Sequence, residues 1–434
     1  MSGWTLAVIA GVVVAYAVVS RRLDRTPVTA AIFFVSCGLL FGNKGLGWID
    51  LGTHAESVRL LAETTLTLVL FADASRIDLP ALRGEYLVPA RLLGIGLPLT
   101  ILVGFALAAG LFGKLSLGEA LLLAIILAPT DAALGQAVVT DQRLPSRIRQ
   151  GLNVESGLND GICVPLLFIA LALSSSEASS LTTQGAFALV GKAIGYGVLF
   201  GVIAGAVGAL LVRVGRARAL MDVSWVQVVP VGTAALAYGL AAPLGGSGFI
   251  AAFVAGFVFG AVLRTDERTS RLLEELGELA NAGTFIVFGA AVVGPILSGM
   301  TWTAALYGVL SLTVARMLPV AVAFAGTRAR LPTVAFTGWF GPRGLASIVF
   351  TVIVLDETKL PYDSTIALVA VFTIVLSVYA HGFTSQPLTA RYATWYRAHP
   401  RDRRPVMEAV HAEPQRWRRS PAVQAPAVST EPRR

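Results

Sequence analysis

The sequence predicts an all-α membrane protein of thirteen transmembrane helices, two of them interrupted, with the N-terminus outside and the C-terminus in the cytoplasm. Three observations carry that prediction. The 434 residues are 55% apolar and only 14% charged, where a soluble domain carries roughly 25% charged residues. Apolar stretches of the length a bilayer core needs, about 20 residues, recur through most of residues 4–385. The cations between those stretches alternate from side to side. The same composition excludes an ordinary soluble enzyme, a disordered regulator and a nucleic-acid-binding domain. Cys37 and Cys163 sit inside apolar runs and supply neither a disulfide framework nor metal-ligand spacing. The four histidines, His54, His381, His399 and His411, are scattered, which argues against a His-based metal site.

The first segment, 4–20, is preceded by Met-Ser-Gly-Trp and followed by Arg21, Arg22 and Arg25. A signal peptide has its positive charge in front, so this segment reads as a true span that leaves the N-terminus outside. Segments 27–42, 59–77 and 92–112 follow, then 117–139 and 150–174, which hold the polar motifs treated below. Next come 184–212, 224–243, 246–263 and 272–298. The last of these opens on Glu274, Glu275 and Glu278 among Arg268 and Arg271, a solvated helix start favoured by its dipole. Segments 302–324, 332–355 and 363–385 complete the series.

Loop charge supports both the count and the orientation. Seventeen arginines fall on one side, from Arg21 through Arg76, Arg83 and Arg91, Arg143 to Arg149 and Arg213 to Arg218, to Arg328 and Arg330. Only Lys44, Arg59, Lys114 and Lys359 fall on the other. One miscounted span in the middle would destroy this positive-inside bias. Residues 391–434 carry ten arginines against four acids, so this tail holds +6 of the net +8 charge. Its Arg/Pro/Ala-rich composition has no apolar face and reads as a disordered, solvated cytoplasmic extension.

Three cations remain inside apolar segments: Lys192, Arg316 and Arg343. Lys192 lies about two turns into its span, within reach of the interface by snorkelling. Arg316 and Arg343 are deeper. A charge at such depth costs about 3 kcal/mol or more and marks a functional pathway, so each needs a partner.

Acids that meet this need lie in segments five and six. Segment five holds Pro129-Thr130-Asp131 at its middle. Proline removes a helix hydrogen bond, and a freed backbone group is tolerated at membrane depth only against protein or a watery cavity. Segment six carries Glu155, Ser156, Asn159 and Asp160. Glu155 and Asn159 are four apart, as are Ser156 and Asp160, so two adjacent ridges each carry a polar pair. The Ser156/Asp160 ridge offers oxygen ligands to one small hard cation, while Glu155 and Asn159 face a neighbouring helix. Segment twelve breaks again at Gly341-Pro342-Arg343-Gly344. Two interrupted helices in corresponding halves of a chain point to a binding site at the bilayer midplane. Segments four to six and eleven to thirteen would then be inverted repeats. The opposed helix ends put partial charges at their crossing, where Arg343 neutralises one end and pairs with Glu155, and Arg316 supplies a second cation. Asp73, in segment three, either touches the ion path or caps a helix end.

Together, Pro129-Thr130-Asp131, the run Glu155 to Gly161 and Arg343-Gly344-Leu345-Ala346 resemble the monovalent cation:proton antiporter-1 family, which includes the NhaP antiporters and the sodium/hydrogen exchangers. The resemblance spans nearly all of 4–385. It implies a homodimer in a bacterial cytoplasmic membrane, with protomers of two parts. Residues 1–91 and 184–298 would form a dimerisation scaffold. Residues 92–174 and 302–385 would form a six-helix transport core. The family's ion site falls on Asp160, Asp131, Ser156 and the Thr130 carbonyl, with Na+ as the foremost cation and K+ or Li+ as alternatives. Asn159, Glu155, Arg343 and Arg316 match its supporting polar network. Asp73 matches only approximately, since some relatives carry Glu near the ion path. No cofactor and no nucleic-acid partner are implied.

The implied mechanism is competition. Asp160 binds a proton or a cation, and burial near Asp131 makes its bare charge costly. Alternating access then couples the two fluxes. Asn159 cannot ionise, so the expected exchange is one proton per monovalent cation, electroneutral and without covalent chemistry. A channel would need no such competition. An intramembrane aspartyl protease is disfavoured by the surroundings of Asp131 and Asp160.

Overall fold

Helix is the only way for one chain segment to satisfy its own backbone in lipid, and the described residues are largely helical. The computed structural model describes residues 3–23, 26–50, 55–77, 85–131, 133–174, 183–263, 267–297, 299–357, 360–398 and 406–409. Arg25, Arg83, Arg264, Lys359, His54, His399, His411 and most of the basic tail lie outside them.

The helices are α1 (Gly3–Leu23), α2 (Ala30–Phe41) and α3 (Ala55–Ser75), then α4 (Leu87–Leu111), which passes through a π-helical turn at Leu92–Gly96. A broken pair follows, α5 (Leu117–Ile126) and the short α6 (Gln136–Val139), before the long α7 (Ser146–Ser174). Next are α8 (Thr183–Ala217), α9 (Ser224–Leu244), α10 (Gly248–Leu263) and α11 (Glu267–Val287). Then comes α12 (Trp302–Ala323). A second broken pair, α13 (Leu331–Trp339) and α14 (Leu345–Glu357), precedes α15 (Asp363–Ala398) and one last turn, α16 (Val406–Ala409). Eight helices among the described residues are long and apolar enough to cross a membrane by length and composition, and four shorter apolar helices accompany them.

Packing groups the helices around a seam. On one side α8 packs on α9 and α10, α10 on α3, and α3 on α11. On the other α4 packs on α5, α5 on α7, α12 on α13 and α15, and α14 on α15. The α3–α10 contact is backbone to backbone. A side chain at Gly256 or Gly260 would strike the Phe71 or Ser75 carbonyl, the close approach that small residues permit in membranes. Ser247, in the run Gly245-Gly246-Ser247-Gly248, caps α10 by accepting from the Ile250 N–H at 3.3 Å. Helix α7 lies on the seam, with Asp73 of α3 beside Gly157 and Phe253 of α10 against Gly161.

Two expectations change here. The tail is not featureless from residue 391. Helix α15 runs on to Ala398, where Tyr392 stacks on Phe336 with ring centroids 4.3 Å apart. In α16, Met407 and Glu408 are each 2% exposed. The Glu408 carboxylate accepts from the Arg330 N–H at 3.1 Å and from the Thr333 hydroxyl. Nor is Glu274 at a solvated helix start. It lies two turns into α11 and binds Arg76 at 2.8 Å, and Arg76 also holds Asp73 at 3.2 Å. Glu275, paired with Arg271, and Glu278 are exposed acids of this helix start. Lys192 is exposed, with its ammonium 5.8 Å from the Tyr196 ring centre.

Candidate functional site

Two gaps in helix structure define the site. Helix α5 begins with a capping box, in which Ser116 accepts from the Glu119 N–H and Glu119 from the Ser116 N–H. It stops at Ile126, and residues 127–131 and 133–135 form turns and irregular backbone. Proline at 129 has no N–H to continue the ladder, so the regular ladder ends with the Leu127 and Ala128 N–H groups donating to the Leu123 and Ile125 carbonyls. Helix α13 stops at Trp339, and α14 resumes at Leu345.

The two gaps are bonded to each other. The Asp131 N–H donates to the Pro342 carbonyl at 2.8 Å. One carboxylate oxygen of Asp131 accepts from the Leu345 N–H at 3.0 Å, the other from the Ala133 N–H at 2.7 Å. Leu345 is the first residue of α14, so Asp131 of the first gap caps the positive end of the helix beyond the second. In return, Arg343 of the second gap donates to the Ala128 and Pro129 carbonyls at 2.7 and 3.3 Å, beyond the negative end of α5. Each gap thus lends a charge to the other's helix end. Gly344 makes the contact possible, since a Cβ there would overlap the Asp131 carboxylate.

The reading of Arg343 as a neutraliser of a helix end fits this geometry; its pairing with Glu155 does not. Glu155 is held by Arg316 through two bonds, at 2.5 and 2.8 Å, with side chains 2% and 3% exposed. That fork-to-fork geometry is the strongest form of the pair. Arg343, fully buried, spends its Nη1 on carbonyls, and its Nε and Nη2 have no hydrogen-bond partner among the described residues. Arg316 is bound to Glu155, not to Asp131. Two backbone N–H groups and a helix N-terminus face that carboxylate instead.

Asn159 also departs from expectation. It turns toward the first gap, not with Glu155 toward a neighbour. Its Nδ2 donates to the Thr130 hydroxyl at 2.7 Å, and the Ser156 hydroxyl donates to the Thr130 carbonyl at 2.5 Å. A small cavity beside these groups is lined by Thr130, Asp131 and Ser156 and walled by Val138, Leu152 and Phe340. Asp160 lies one turn along α7 from Ser156, 8% exposed, and is not among the residues lining this cavity. Asp73 is in the ion-paired cluster with Arg76 and Glu274, across from Gly157.

Sequence reasoning missed two further groups. Glu119, 2% exposed, accepts from the Tyr362 N–H at 3.1 Å and so ties the start of α5 to the start of α15. Its Ser-x-x-Glu spacing was the available signal. His381 contacts Trp339 before the second gap and is linked through Ser377 to Arg343 within it, and its signal was the four-residue spacing from Ser377.

A model of the transmembrane region of sodium/hydrogen exchangers matches residues 8–391. The chain belongs to the sodium/hydrogen exchanger family. Among individual relatives, it is 24% identical over 369 residues to a K+/H+ antiporter, NhaP2, of Shewanella oneidensis, a match covering 84% of this chain and 62% of that protein. It is 25% identical over 393 residues to an Na+/H+ antiporter of Schizosaccharomyces pombe, covering 80% and 81%. The chain spans 62% or less of the length of the Shewanella relatives. In fold, this family member is similar to the sodium proton antiporter MjNhaP1 of Methanocaldococcus jannaschii, with a TM-score of 0.70 and 19% identity over 87% of this chain and 98% of that one. It is a multi-pass integral membrane protein.

Proposed function

We propose that the chain is a secondary active antiporter that exchanges protons for a monovalent cation, Na+ foremost, across the membrane. The observation that carries this reading is the bonded crossing of two helix gaps beside a buried carboxylate on α7. A resident charge at each helix end balances the crossing, so the cargo needs only one exchangeable site. Asp160 takes that role and holds either a proton or the cation. Ser156, the Thr130 carbonyl and Asp131 complete the oxygen set; a carboxylate has about four lone-pair positions, so the two N–H bonds at Asp131 leave room for a ligand. Glu155, Arg316, Arg343 and Asn159 hold the frame.

Alternating access moves a core of residues 92–174 and 302–385 against a scaffold of 1–91 and 184–298. The packing on either side of the α7 seam supports that division. The active form is a homodimer with the N-terminus outside and the C-terminus in the cytoplasm.

Purified protein in proteoliposomes tests the reading. Asp160→Asn abolishes cation-driven pH change while the protein stays folded by detergent size exclusion; substantial coupled flux in that variant would sink it. Wild-type exchange with Na+ or Li+ holds its rate under a valinomycin-clamped potential, since Asn159 adds no second exchanging charge; several-fold acceleration would refute a 1:1 mechanism. K+/H+ exchange is the second reading, favoured by the 24% identity to a K+/H+ antiporter. A series of K+, Na+ and Li+ gradients separates the two.

A further inference from the structure

The second helix gap is held open by one turn of α15. His381 and Ser377, four residues apart on that helix, are 1% and 0% exposed. The Ser377 hydroxyl oxygen accepts from the Arg343 N–H at 2.7 Å and lies 3.1 Å from His381 Nδ1. His381 Nε2 lies 2.8 Å from the Trp339 carbonyl, and the imidazole stacks on the Trp339 indole with centroids 5.0 Å apart.

Both ring nitrogens lie beside acceptors: Nε2 beside the Trp339 carbonyl, and Nδ1 2.9 Å from the Ser377 carbonyl as well as beside the Ser377 hydroxyl. The Ser377 hydroxyl oxygen in turn accepts from the Arg343 N–H. The resulting chain runs from the Arg343 N–H through the Ser377 hydroxyl to the imidazole and on to the Trp339 carbonyl. Trp339 is the last residue of α13, and its carbonyl, which has no partner within the helix, accepts from the Gly341 N–H at 2.9 Å and faces His381. Arg343 lies just before α14. The imidazole and the Ser377 hydroxyl therefore span the gap, fixing the end of one half-helix relative to the approach to the next.

That span bears on the cation site. Pro342 and Leu345, on either side of Arg343, are the groups that bind Asp131. We propose that His381, acting with Ser377, is a positioning residue for cation binding, setting the width of the second gap and through it the placement of the Asp131 carboxylate. This rests on the antiporter reading. It does not require His381 to titrate or to touch the cation.

The test compares His381→Ala, His381→Gln and Ser377→Ala with wild type in proteoliposomes. A looser gap misplaces Asp131 and leaves Asp160 alone. The cation KM of His381→Ala therefore rises about ten-fold, with the maximal rate within two-fold of wild type. The proton affinity inferred from the competition is unchanged. His381→Gln, which keeps an acceptor and a donor, restores KM to within three-fold, and Ser377→Ala gives an intermediate rise. A role in packing alone would lower melting temperature and maximal rate without moving KM, and that result, or a KM for His381→Ala within two-fold of wild type, overturns the proposal. If His381→Ala does not fold, Ser377→Ala decides by the same criterion. Hydrogen–deuterium exchange gives a readout free of transport. The Arg343 amide exchanges at least ten-fold faster in Ser377→Ala, and residues 340–345 do so in His381→Ala. Unaltered protection in both variants overturns the clamp. Absence of exchange activity in the wild type would sink the antiporter reading, leaving the clamp to be judged on amide protection.

Discussion

The two helix gaps solve one problem with opposite charges. The first, at 127–135, is long, contributes a carboxylate and borders the cavity through Thr130 and Asp131. The second, at 340–344, is short, contributes a guanidinium and is pinned from behind by Ser377 and His381. Each treats the other's helix end as its counter-charge. On the proposed reading the first gap supplies the oxygen ligands for the cargo, while the second, which gives Phe340 and Pro342 to the same cavity wall, is the backing that aims them. The difference gives unequal consequences for changes on the two sides.

The ion pair that neither gap owns sets the upper end of the scale. Removing one partner of a buried pair costs about 3–5 kcal/mol. Glu155→Ala and Arg316→Ala each lower the detergent melting temperature strongly, and a double neutral variant recovers part of the loss. Additive losses in that double-mutant cycle would separate the two residues. Glu155→Ala combined with a change at Arg343 shows weaker coupling than with Arg316.

Loss of the second gap's charge comes next. Arg343→Met leaves two buried carbonyls without their donor, at about 1–3 kcal/mol each, and lowers melting temperature more than it alters cation KM in the surviving protein. Asp131→Asn does the reverse. It retains an acceptor for one of the two N–H groups, so the protein stays folded, while the cation KM measured in proteoliposomes rises about ten-fold. Equal stability losses from the two substitutions would erase the distinction between backing and ligands.

The smallest effect tests the contact between them. Gly344→Ala puts a methyl group where the Asp131 carboxylate lies. It raises cation KM by several-fold, less than Asp131→Asn does. Combining the two is sub-additive, because they disturb one contact. Full additivity would mean that Gly344 and Asp131 act separately.

Much of this crossing was legible in the sequence. Pro129 and Gly341-Pro342 announce the gaps because each stands beside a charged residue, Asp131 or Arg343, whereas Pro165, Pro319 and Pro387 sit inside continuous helices. The polar run from Glu155 to Asp160 marks α7, since lipid-facing acids are too costly to be incidental. The choice of partner was not legible. Arg316 and Arg343 are chemically equal candidates for Glu155, and which one meets it depends on the rotation and depth of α12 against α7. Asn159 was misplaced for a related reason. Residues three and four apart share a broad face, so Ser156 and Asn159 both reach Thr130 while Glu155 turns away. The tail was misread because its apolar contacts are single residues, Tyr392 and Met407, inside an otherwise charged stretch.

The buried turn at Met407 and Glu408 has a practical consequence for handling the protein. Met407 belongs to the same apolar cluster as Val138, Leu152 and Phe340, which wall the cavity, and Glu408 is fastened to the beginning of α13. Cutting the chain after Ala398 would therefore strip a side chain from the hydrophobic packing that adjoins the cavity wall. An affinity tag begun after Ala409 leaves that packing in place. A clone trimmed to the apolar segments would lose that packing, and rates measured on it would not transfer to the 434-residue chain.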